Sequence, residues 1–163
     1  MLNINDLFRL EDGEYEGDCT VWGSKTQIYL TIEDESVSME ECLSAVNRQI
    51  ERLESGRADL FRALRENDDI VALAEDWVAS GEQGQDEKGE YYIIGDGTKV
   101  YVPIDPDEFF AGLGIEGLNI SYDFDGEILT EIFLSCAVDY FAGHSIDAFL
   151  DHDGSFEVNG LAG

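Results

Sequence analysis

The chain has 163 residues, 44% of them apolar and 11% aromatic, which suits one domain with a full hydrophobic core. Its 37 acidic residues against 9 basic ones give a formal charge of −28, a field that repels DNA, RNA and anionic membranes and attracts basic partners. The three cysteines, Cys19, Cys42 and Cys136, form no CxxC pair, so neither a disulfide framework nor a thiolate zinc site is supported.

The opening MLNINDLFRL has no basic start and no apolar h-region, and Asp6 interrupts it, so it does not read as a signal peptide. No apolar run approaches the roughly 18 residues of a membrane span, and a cytoplasmic location is expected. Residues 14–22, EYEGDCTVW, and TQIYLTI at 26–32 predict a half-buried hairpin turning at Gly23-Ser24. In the second strand Ile28, Leu30 and Ile32 face one side, and Gln27, Tyr29 and Thr31 the other. Ser38-Met39-Glu40-Glu41 then fits a capping box, and Met39, Leu43, Val46, Ile50 and Leu53 recur at helical spacing. Gly56 marks a break. Leu60, Phe61 and Leu64 resume the stripe; Asn67-Asp68-Asp69 ends it and caps a helix carrying Ile70, Leu73, Ala74, Trp77 and Val78.

Residues 81–90, GEQGQDEKGE, show no periodicity and are expected as a polar surface loop. YYIIG (91–95) and KVYVPI (99–104) read as strands, and Asp105-Pro106-Asp107-Glu108 opens a short helix to Leu113. GLNISYDF (117–124) and EILTEIFLSCAV (127–138) flank Asp125-Gly126, a hairpin signal that Asp153-Gly154 repeats in the tail. The predicted architecture is a single α+β domain: an antiparallel sheet built from hairpins, with two or three helices over about 38–80 on one face.

The tail FAGHSIDAFLDHDGSFEVNGLAG gathers both histidines, His144 and His152, with Asp147, Asp151 and Asp153. A strand rises about 3.3 Å per residue, which sets the two histidines about 26 Å apart, too far for one metal ion. Alternation turns Asp147 away from His144, so the cluster is dense in sequence and dispersed in space. A two-residue turn at Asp153-Gly154 sets Phe149 opposite Val158 and Ile146 opposite Leu161, so both faces of this hairpin are partly apolar, as expected of interior strands in a sheet covered by helices. DFDG (123–126) and DHDG (151–154) look like calcium-loop cores, but the flanking ligand positions hold Ser121 and Ile132, or Phe149 and Gly160. Both are read as turns. There is no GxSxG, and Cys136, inside FLSCAV, reads as a small buried hydrophobe. Trp22 and Trp77 read as packing residues rather than ligand platforms. No catalytic residue, metal site or cofactor is expected.

Charge is uneven along the chain. Residues 40–66 hold five of the six arginines against six acids, whereas residues 81–163 hold eighteen acids against two lysines. The strand-rich half is therefore where a basic partner would dock.

YEGDCTVWGSKTQIYLTI, the capped helices after it, and the ending GHSIDAFLDHDGSFEVNGLAG carry a resemblance. Together they resemble a family of bacterial domains with an N-terminal YEG…W hairpin and a C-terminal GHSI…DG…AG ending. The likeness covers most of the chain and is loosest over residues 81–116. It implies an immunity-type or accessory role beside secreted toxins and brings no catalytic residues with it.

Residues and resemblance converge on a non-catalytic, acidic, cytoplasmic protein that neutralises a basic protein partner such as a toxin nuclease. The expected contacts are Asp123, Asp125, Glu127, Asp151, Asp153 and Glu157, with loop 82–90 beside them; neither nucleic acid nor membrane is expected as a partner. Two alternatives stand. One is a structural or regulatory domain whose acidity serves solubility or salt adaptation; the other is an enzyme whose site is assembled from dispersed carboxylates.

Overall fold

A computed structural model describes residues 1–163 apart from Glu35, Asp68 and the side chain of Asn67. Asp68, in the expected helix stop, lies outside the described residues. The fold is α+β, with ten strands and four α-helices among the described residues. After a 3-10 turn at Ile4–Asp6 come β1 (Leu7–Glu11), β2 (Glu14–Val21) and β3 (Ser24–Ile32). The helices α1 (Met39–Ser55), α2 (Arg57–Asn67) and α3 (Ile70–Val78) follow, then β4 (Glu82–Asp86), β5 (Gly89–Ile93), β6 (Lys99–Val102) and α4 (Pro106–Ala111). The chain closes with β7 (Leu113–Tyr122), β8 (Ile128–Cys136), β9 (Ser145–Leu150) and β10 (Phe156–Ala162).

Seven strands form one sheet in the order β1-β2-β3-β7-β8-β9-β10. Every neighbouring pair is antiparallel except β3 and β7, which run parallel and join two antiparallel blocks. A parallel pair needs a long crossover, and the helices together with the small β4-β5-β6 sheet supply it. Alternation then divides the large sheet. Val21, Ile28, Leu30, Leu118, Ile120, Ile132, Leu134, Ile146, Ala148 and Leu150 point to one face and are buried. Against that face lie Cys42, Val46, Ile50 and Leu53 of α1, Leu60 and Leu64 of α2, and Ile70, Ala74 and Val78 of α3.

The helix boundaries follow their local chemistry. The Ser38 hydroxyl accepts the Glu41 amide at 3.3 Å, and Glu41 accepts the Ser38 amide at 3.3 Å. Gly56 separates α1 from α2. The Asp69 carboxylate caps α3 through the Ala72 amide, and that of Asp105 caps α4 through the amides of Asp107 and Glu108.

Four expectations are corrected. Residues 81–90 are not a loop: β4 pairs with β5 from Glu82↔Ile93 to Asp86↔Gly89. Gly84 permits this, because a Cβ there would sit 2.4 Å from Cζ of the Tyr91 ring lying over it. Lys99 adds to the small sheet, with its ammonium 3.7 Å from the Tyr91 ring centre and 2.7 Å from Asp86 Oδ2.

The first hairpin turns at Trp22-Gly23, one residue earlier than expected, with φ of 52° and 78°. A tryptophan tolerates that conformation here because both of its N–H groups are held. Its amide donates to Glu54 Oε2 at 2.6 Å and its indole to the Leu53 carbonyl at 3.0 Å. Phe61 and the Arg57 guanidinium pack on the ring.

In the last hairpin five residues, 151–155, join the strands, so Phe149 faces Glu157 and Val158 faces Ala148. A bulge at Asn159 then restores the expected Ile146↔Leu161 pair. Finally, β10 is an edge strand rather than an interior one.

Candidate interaction site

The topology gathers acids at one end of the sheet. Because β3, β7 and β9 all run the same way, their C-terminal ends lie together. That end carries the β1-β2 turn with Asp12, the exit of β3 with Asp34, the β7-β8 turn (residues 123–127) and the β9-β10 turn (residues 151–155). Of the six expected contacts, Asp123, Asp125, Glu127, Asp151 and Asp153 fall here. Glu157 does not: it lies on β10, opposite Phe149, on the sheet face away from the helices.

The two turns are held side by side by α1. Gln49 is buried, and its amide donates to the Ile128 carbonyl at 3.2 Å and the Asp151 carbonyl at 3.3 Å. One turn further on, Arg52 donates to the His152 carbonyl at 2.7 Å. One helix thus holds the backbone of the 151–155 turn and of Ile128, the β8 residue directly after the 123–127 turn, and leaves the outer side chains of both turns exposed. Gln49 went unrecognised in the sequence, although the signal was present. It occupies a position of the buried stripe Cys42, Ala45, Val46, Gln49, Ile50, Leu53, where a polar side chain persists only if it finds partners.

Within the turns the carboxylates divide into two kinds. Asp123 accepts the amides of Asp125 and Glu127, each at 2.9 Å, and so builds its own turn. Asp153 accepts the Ser155 amide at 2.8 Å, and the Ser155 hydroxyl and amide hold its pKa below the usual carboxylate range. Asp151 accepts the His152 amide at 2.6 Å and faces the His152 ring, with Nδ1 2.8 Å away. That carboxylate, with Glu127 next in importance, raises the His152 pKa above the ordinary histidine value. Asp125 and Glu127 bond through their backbone amides, and their carboxylates remain exposed at the tip. Between Asp123 and Asp125 stands Phe124, 70% exposed. The exposed aromatic ring on this acidic tip has no counterpart in the hairpin reading, which takes DFDG only for its turn.

The histidines are separated as expected. His144 precedes β9, packs against Trp77 with ring centres 5.1 Å apart, and sets Nδ1 2.9 Å from the Phe141 carbonyl; His152 follows β9 at the far end. No group of three or more potential metal ligands occurs among the described residues. Burial pushes the Cys19 and Cys42 thiols up to about 11 and Cys136 to about 12, so all three are poor nucleophiles. Among the described residues no helix is long and apolar enough to cross a membrane.

The sheet face opposite the helices is a second feature. Strand pairing aligns Phe8, Glu16, Tyr29, Asn119, Glu131, Phe149 and Glu157 in one row across all seven strands. Each of these side chains is exposed or half-exposed, Phe8 at 69% and Tyr29 at 44%. Asn119 donates to Glu131 at 2.8 Å along the row. Two rows along, Lys25 of β3 pairs diagonally with Asp18 of β2 at 2.8 Å.

No curated protein and no solved structure shows significant similarity to the chain. A family model described as an uncharacterized protein conserved in bacteria (DUF2262) matches residues 7–161, from the first strand of the large sheet to its last. The chain belongs to that bacterial family.

Proposed function

We propose that this is a non-catalytic, acidic, cytoplasmic binding protein of immunity type, which neutralises a basic protein partner such as a toxin nuclease. One observation carries the reading: α1 clamps two acidic turns beside each other through Gln49 and Arg52 and leaves Phe124, Asp125 and Glu127 exposed on the tip. Long-range attraction from a −28 chain speeds encounter with a basic surface. An exposed aromatic ring amid the charge supplies the desolvated anchor that electrostatics alone lacks. Thiols with raised pKa values and dispersed histidines support a role without nucleophilic or metal chemistry.

Capture on the tagged protein at physiological salt, followed by a rising salt gradient, tests the reading. A stoichiometric basic partner released by salt supports it. Failure to retain basic toxins encoded beside its own gene rejects it.

A second reading is a solubility or salt adaptation, favoured by exposed acids on elements outside the turns and the helix that holds them, such as Asp76 of α3, Glu82 of β4 and Glu108 of α4. Stability that climbs steeply with molar salt would select it.

A further inference from the structure

We infer that the uncovered face of the seven-stranded sheet is a second docking surface, and that its occupant is a basic protein surface on which arginines alternate with apolar side chains. The inference rests on the proposed function, since it names where and how the same kind of partner sits.

The face has the size of an interface. Seven strands spaced about 4.8 Å apart, each presenting some 23 Å of length, cover roughly 650 Å². A standard interface takes about 800 Å² from each partner, so this face with the adjoining turns suffices. Its chemistry is specific. Phe8, Tyr29 and Phe149 alternate along the row with the carboxylates Glu16, Glu131 and Glu157, the polar Asn119 lying between Tyr29 and Glu131. A guanidinium satisfies both groups at once, by bidentate bonding to a carboxylate and by stacking on a neighbouring ring. A lysine satisfies the charge with less geometric match.

Charge also decides against the other occupants. Glu14, Glu16, Asp18, Glu131, Asp147 and Glu157 lie on this face by the strand alternation, against the single base Lys25, which Asp18 already engages. A second copy laid face to face would oppose carboxylates across a desolvating contact. Nucleic acid is repelled by the same field. One further group points to a missing donor: Asp147 is 5% exposed, Asn159 donates to its Oδ2 at 2.8 Å, and its Oδ1 has no partner. A buried carboxylate oxygen without a donor is a costly arrangement. That oxygen lies beneath the face as an acceptor without a partner.

Two amidated octapeptides, alternating Arg-Tyr and alternating Lys-Gly, carry equal charge and serve as probes for ¹⁵N-labelled protein at physiological salt. The Arg-Tyr peptide is expected to shift the amides of Tyr29, Asn119, Glu131 and Phe149 saturably, and to bind about tenfold more tightly than Lys-Gly. The pair Phe8→Ser and Tyr29→Ser, both surface positions, should remove that advantage while the remaining amide spectrum stays folded. Shifts confined to residues 123–127 and 151–155, equal for both peptides, would overturn the docking face and leave the basic-partner reading standing. Silence with both peptides would overturn both. A dimer of the protein alone in sedimentation, dissolved by Tyr29→Ser, would assign the face to a second copy instead.

Discussion

Replacing Gln49 by leucine asks whether α1 is the clamp that holds the two acidic turns. Leucine keeps nearly the same volume within the buried stripe, so packing is largely preserved. The substitution removes the donors to the Ile128 and Asp151 carbonyls and the acceptor, 3.4 Å away, of an Arg52 N–H. Stranding a buried polar group costs about 1–3 kcal/mol. The Ile128 bond is fully buried and the Asp151 bond only partly so, hence water partly replaces the second. A loss of about 2–3 kcal/mol follows. For a domain of this size each kcal/mol lowers Tm by roughly 2–4 °C, which gives a fall of roughly 4–12 °C in thermal unfolding followed by circular dichroism. The amide resonances of residues 123–127 and 151–155 should move together in the same variant. A Tm within about 1 °C of wild type, with those resonances unmoved, would refute the clamp.

Other consequences concern the turns, the thiols and pH. Asp123→Ala should destabilise the fold by about 1–2 kcal/mol, because two turn amides lose their acceptor, whereas Asp125→Ala should be neutral in urea unfolding. Thiol reagents at pH 8 should modify Cys19, Cys42 and Cys136 only after unfolding, since their pKa values of about 11, 11 and 12 leave almost no thiolate; labelling of the folded protein at the rate of a free thiol would contradict this. Asp86, held at about 2 chiefly by Lys99, should titrate there by carboxyl NMR. With its pKa depressed, its contribution is present above the unfolded value near 4 and is lost as pH falls toward 2. His152 works in the opposite sense: its raised pKa makes its contribution complete below about 6.5 and lost as pH rises through the folded value. Deprotonation adds a negative increment beside Glu127, Asp151 and Asp153 and across from Arg52, so affinity for a basic partner should increase through that same transition.

Much of the fold was legible because it is local. The Ser38–Glu41 box, the 26–32 alternation and the Asp105-Pro106 start each state their structure within a few residues, and each forms as read. The missed parts depend on partners distant in sequence. Gln83, Gly84 and Gln85 have no strand preference of their own, and become a strand because Tyr91 crosses Gly84 and Lys99 reaches Asp86. Trp22 turns left-handed only because α1 supplies Leu53 and Glu54. The parallel β3–β7 pairing joins residues about ninety apart, which no local pattern records. At the candidate site the acidic turns were readable, but their divisions were not. Asp123 and Asp153 looked like contacts and serve their own turns, while Phe124 looked like a turn residue and is exposed. The open sheet face likewise emerges only once strand order aligns Phe8 with Glu157 across seven strands.

A basic protein is proposed to bind the clamped acidic turns. The most direct test is parallel capture by the wild-type protein and by a triple variant, Phe124→Ser, Asp125→Lys and Glu127→Lys, which leaves the turn-building Asp123 in place. The wild type should capture a stoichiometric basic partner that salt releases, and the variant should bind it at least about a hundredfold more weakly. Equal retention by both proteins, or release that is indifferent to salt, would contradict the proposal.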